Sequence, residues 1–76
     1  KPARQFDLVC ANLISTLLIA EKQRIANRVK RSGTLVLAGI LAAEFAEVER
    51  AFAGLKLKLV ASRVENEWGS GAFCFV

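Results

Sequence analysis

The residue best placed for chemistry in this chain is an asparagine. Asn12 ends the run Phe6-Asp7-Leu8-Val9-Cys10-Ala11, and its amide can donate and accept hydrogen bonds without adding charge. One of the usual reactive groups is missing altogether. There is no histidine, which removes a Ser-His-Asp triad, a His-based acid–base pair and a Cys/His zinc finger. Cys10 and Cys74 are far apart, each inside an apolar run. That usage reads as two free, buried thiols of a reducing compartment. No metal site is expected, and no catalytic acid, base or nucleophile stands out. From the residues alone Asn12 is either a polar group at a strand-tip ligand site or a cap on the following helix through its side-chain oxygen.

The elements around Asn12 follow from the apolar pattern. Leu8-Val9-Cys10-Ala11 is too short for a helix core and suits a strand buried on both faces, with Asn12 at its carboxyl end, where open α/β sheets bind ligands. Ile14, Leu18, Ile25 and Val29 recur at helical spacing and predict a helix over about 14–30, ended by a left-handed turn at Gly33. Thr34 to Ala38 predicts a second buried strand, with Gly39-Ile40 turning at its tip. Leu41, Phe45, Val48 and Phe52 form the stripe of a second helix over about 42–53, stopped by Gly54. Lys56 to Val64 predicts a third strand, with Leu57, Leu59 and Ala61 on one side and Lys56 and Lys58 guarding an edge. Glu65 to Gly71 reads as a connection and Ala72 to Val76 as a central last strand.

The order β-α-β-α-β-β sets an arrangement. Strand–helix–strand crossovers are right-handed, so two of them running the same way put both helices on one face of the sheet. The link before the last strand is short enough only for a hairpin, which makes that strand antiparallel. The expected spatial order is first, second, fourth, third. Cys10 and Cys74 would then be two strand spacings apart, about 9.6 Å, beyond the roughly 7 Å that a disulfide spans between α-carbons.

Composition adds a constraint. The 76 residues are 54% hydrophobic and carry a net charge of +4. An apolar fraction above about 45–50% in so short a chain predicts a surface that packs against something else. With Lys1 standing almost directly before a strand and no Met in the sequence, the chain reads as a piece of a larger protein. No apolar run approaches the roughly 20 residues of a membrane helix, so no membrane partner is expected. The basic run Lys22, Arg24, Arg28, Lys30 and Arg31 lacks interleaved aromatics for base stacking and reads as a solvated helix face, with contact to nucleic acid or to an acidic patch of a protein as the sharper alternatives.

Three landmarks in order carry a family resemblance. Phe6-Asp7-Leu8-Val9-Cys10-Ala11-Asn12-Leu13-Ile14 resembles a stretch of the ribosomal protein L-eleven methyltransferase family, within the class I S-adenosylmethionine-dependent methyltransferases. Leu35-Val36-Leu37-Ala38-Gly39-Ile40-Leu41 is similar to that family's next strand, and Glu67-Trp68 falls where the family has Gly-Glu-Trp before its final strand. The chain departs from the family pattern at Arg31-Ser32-Gly33, Ala38 and Asn66. It also has Gly69-Ser70-Gly71 where the family has strand residues.

The resemblance implies the carboxyl-terminal half of a Rossmann-like methyltransferase domain, cytoplasmic, with a ribosomal or similar protein as substrate. It implies that Asn12 touches the cofactor S-adenosylmethionine and that Leu13 and Ile40 line the substrate pocket. Trp68 would cover the acceptor or cap the sheet edge. The family's glycine-rich loop and ribose-binding acid belong to the missing amino-terminal half, so the isolated chain is expected to be inactive and to self-associate through its bare sheet face. The competing function is a basic, non-catalytic module that binds ribosomes or nucleic acid and keeps the fold.

Overall fold

The computed structural model describes residues 4–76. The elements are β1 (Phe6–Asn12), α1 (Ser15–Ala20), α2 (Lys22–Ala26), β2 (Val29–Leu41), a 3-10 turn (Ala42–Glu44), α3 (Phe45–Ala53), β3 (Leu57–Glu65) and β4 (Trp68–Phe75). One sheet runs β1-β2-β4-β3. β1 and β2 are parallel, and β4 is antiparallel to both its neighbours. This is the strand order expected from the crossover rule and the short last link.

The helices cover one face. Leu35, Leu37 and Ile40 of β2, Phe73 of β4 and Leu57 of β3 are buried there with Leu18 of α1 and Val48 and Phe52 of α3. The Phe52 and Phe73 rings lie 6.0 Å apart and tilted at 39°, within the range of favourable aromatic pairs. On the other face, Leu8 is 59% exposed, Cys10 is exposed, and Val36, Ala72 and Cys74 are partly buried.

Several expectations need correction. The long first helix is two short ones, broken at Glu21 (φ −101, ψ 13) and finished by Ala26. The apolar stripe does place Leu18, Ala26 and Val29 in the core, but Ile14 and Leu17 are exposed. The helix stops early because the backbone beyond Asn27 is taken by the sheet: Phe6 N–H donates to Arg28 O at 2.8 Å, and Val29 pairs with Phe6. Gly33 is therefore no helix cap. It lies inside β2, where a Cβ would stand 2.8 Å from Asp7 O and 3.0 Å from Phe6 O, and close backbone approach is what requires glycine.

The third correction concerns the last hairpin. Its connection is only Asn66-Glu67, because Glu65 already pairs with Trp68 and Gly69-Ser70-Gly71 belongs to β4. Asn66 takes the left-handed φ of 58° that a tight turn needs. The fourth is a change of face in β3. The pairing slips between Leu59 and Ala61, so Leu57 and Leu59 face the helices while Ala61 lies opposite Ala72 on the open side. A bulge inserts one residue and inverts the alternation beyond it. At the end of α3, Gly54 is the C-cap in right-handed conformation, and Lys56 carries the left-handed turn with φ 70°.

Both thiols are free, with β2 between their strands. Cys74 is half-buried, its Sγ 3.7 Å from Thr34 Oγ1. Cys10, expected to be buried, is exposed on the open face.

Candidate functional site at the strand tips

Asn12 is the last residue of β1 and pairs with Ala38 of β2. The next residue, Gly39, has φ +76°, a conformation natural only to glycine. The Asn12 side-chain amide sits where a Cβ on Gly39 would be. One residue without a side chain thus makes room for the amide of another. Asn12 does not cap the following helix: the N-cap of α1 is Ile14, with no side-chain capping hydrogen bond. The amide stays exposed at the carboxyl edge of the parallel strands.

Gly39 also rephases its strand. The pairing of β2 with β4 shifts between Leu37 and Ile40, so Ile40 joins Leu35 and Leu37 on the helix-covered face and is fully buried. The pocket-wall role expected of the Ile40 side chain therefore does not fit; it is core. Leu13 is 38% exposed just beyond Asn12, compatible with the expected wall.

Beside Gly39 lies a cavity of roughly 280 Å³, lined among others by Ile14, Ser15, Leu41, Glu44 and Trp68. It is framed by the segment after β1, the segment after β2 and the start of β4. The corner is closed by Leu41 pairing with Trp68 and by Ala42 N–H donating to Glu67 O at 2.9 Å. Trp68 is half-exposed and lines this cavity. Inside, Ser15 is only 5% exposed and its Oγ has no hydrogen-bond partner.

Ser15, Leu41 and Glu44 escaped the sequence reading. The available signal was positional: each lies at or just after a strand's carboxyl end, where βα segments of an open sheet converge. The basic residues lie elsewhere. Arg28, Lys30 and Arg31 are at the amino end of β2; Lys30 is 3.5 Å from Asp7, Arg24 pairs with Glu21 at 3.1 Å, and the Arg31 guanidinium lies over the Phe75 ring. They are exposed and form no cluster near Asn12. Among the described residues no group of three or more His, Cys, Asp or Glu could hold a metal ion, and no helix is long and apolar enough to cross a membrane.

A parallel pair continued by an inserted antiparallel last strand, helices on one face and a polar residue at the parallel tips define half of a Rossmann-like methyltransferase sheet. Comparison with known proteins agrees. Residues 1–73 match the family described as Ribosomal protein L11 methyltransferase (PrmA), and the chain belongs to that family. It is 39% identical over 67 residues to the ribosomal protein L11 methyltransferase of Chloroflexus aurantiacus, covering 88% of this chain and 20% of that protein. The Xylella fastidiosa (strain Temecula1) protein of the same name is 36% identical over 67 residues, with 88% and 22% covered. The crystal structure of a ribosomal protein L11 methylase from Lactobacillus delbrueckii subsp. bulgaricus superposes with a TM-score of 0.89 at 19% identity, over 96% of this chain and 38% of that one; it shows the shared fold. The chain spans about a fifth of the length of the curated relatives it matches.

Proposed function

We propose that residues 1–76 form the carboxyl-terminal half of the catalytic domain of a cytoplasmic, S-adenosylmethionine-dependent protein methyltransferase. Its substrate is an amine of a ribosomal or similar protein, and Asn12 and Leu13 lie at the junction of cofactor and acceptor. The observation that carries this reading is the seating of the Asn12 amide against Gly39 at the parallel strand tips.

The residues present fit one wall of such a cofactor site. When bound, S-adenosylmethionine supplies a methyl group on a sulfonium. A carboxylate in the place of Asn12 would pair with that positive charge; the amide instead offers neutral donors and an acceptor. Its orientation is restricted because Gly39 lies behind it. Methyl transfer depends mainly on alignment of acceptor, methyl and leaving group, and a fixed neutral amide serves alignment. Leu13 adds an apolar wall that keeps water from the acceptor.

Most polar groups for the cofactor would come from the amino-terminal half. A site depends on a few well-placed polar contacts, so the isolated chain is expected to be inactive, and its open sheet face and the free edge of β1 to drive self-association. In the full-length protein, Asn12→Ala should lower kcat by about 10²-fold with an unchanged thermal midpoint. A variant that unfolds, or one that keeps full turnover, would overturn the assignment.

A further inference from the structure

We propose that Ser15 and Glu44 bind the amine acceptor in its resting alkylammonium form, an aliphatic stem ending in a primary ammonium, in the cavity beside Gly39; the nitrogen gives one proton to solvent before it attacks the methyl group. The inference rests on the amine-acceptor reading of this site and assigns two residues to it.

The lining selects the ligand's chemistry. Ile14, Leu41 and the half-exposed Trp68 give the cavity an apolar wall, which suits an aliphatic stem. Glu44 is the only charged residue of the lining among the described residues, and its carboxylate forms no ion pair with any other described residue. An anionic ligand would be repelled there, whereas a cation gains a partner. The Trp68 ring adds to this preference, since ammonium groups are attracted to indole faces.

Ser15 supplies the independent observation. Buried hydroxyls nearly always find a partner, and one left without calls for an explanation. The Ser15 Oγ has none, although the residue is only 5% exposed and lines the cavity. A hydroxyl turned about χ1 towards an occupant would accept a hydrogen bond from an ammonium N–H. Neither an alkane nor a carboxylate would satisfy the hydroxyl and the Glu44 charge together. Asn12 is not part of this lining and is left free to face the cofactor.

The test uses the full-length protein, labelled with nitrogen-15, titrated with n-butylammonium chloride and, separately, with n-butanol at matched ionic strength. The expected result is movement of the Trp68 indole and Ser15 amide signals with the ammonium and not with the alcohol. Glu44→Gln should weaken n-butylammonium binding about fivefold and Ser15→Ala about threefold to fivefold. In turnover assays the acceptor KM should rise by the same factors with kcat within about twofold, the signature of lost uniform binding. Equal response to n-butanol, or binding unaffected by both substitutions, would overturn the proposal. Asn12-dependent methyl transfer that persists alongside such a result would show that this inference fails while the proposed function stands.

Discussion

The two faces of the sheet are built from neighbouring residues of the same strands, yet they have opposite fates. Leu35 and Leu37 of β2 are fully buried against α1 and α3, while Val36 between them lies on the side no helix covers. Phe73 is buried; Ala72 and Cys74 beside it are half-buried. The open face is nevertheless apolar at its centre, with Leu8, Cys10, Val36, Ala61 and Ala72. A sheet designed to meet water on one side alternates apolar and polar residues; strands buried on both faces do not. The open face is thus written for contact, and the difference between the faces lies in what this chain supplies to cover each.

That contrast can be broken first by truncation in the core. Leu35→Ala should cost about 2–5 kcal/mol, whereas Val36→Ala, one residue away, should cost about 1 kcal/mol. Urea titrations of the two variants decide it; equal costs would mean that both faces are equally packed. Next comes association. The chain should sediment as concentration-dependent oligomers and bind a hydrophobic dye, because a bare apolar sheet face exceeds what soluble monomers expose, and β1 offers a free edge. Cys10 should react with a thiol reagent faster than Cys74. A monomer that ignores the dye at every concentration would remove the open face from the account.

A smaller effect is expected at the site. Gly39→Ala places a methyl group where the Asn12 amide sits and forces a non-glycine residue to φ +76°. The cost should be roughly 2 kcal/mol, and Asn12→Ala in the same chain should recover the steric part of it. A full, additive cost in the double variant would show that the two residues do not touch. Smallest is Lys56→Gly at the end of α3. Relief of a left-handed lysine (φ 70°) should stabilise the chain by up to about 1 kcal/mol, partly cancelled by glycine's extra freedom when unfolded. A thermal midpoint that falls instead would mean that the lysine side chain contributes more than the strain costs.

Much of the fold was legible because it depends on which residues are apolar and how long the links are. Strand order, the antiparallel last strand and the one-sided helices all followed from apolar runs, one short link and the handedness of crossovers. Asn12 was legible as a strand tip, and the separation of Cys10 from Cys74 followed from the strand order. These properties are local or topological, and the sequence determines them by itself.

What only the tertiary structure decided depends on strand register. The bulge at Gly39 turned Ile40 from an expected pocket wall into core, and the slip after Leu59 moved Ala61 to the open face. Pairing with β1 ended the first helical segment at Ala26 and drew Gly33 into a strand. Ser15, Leu41, Glu44 and Trp68 became one cavity through the meeting of segments distant in sequence. The physical reason is shared: a single inserted residue inverts every side chain beyond it, and nothing in a local apolar pattern says where a neighbouring strand will make that insertion.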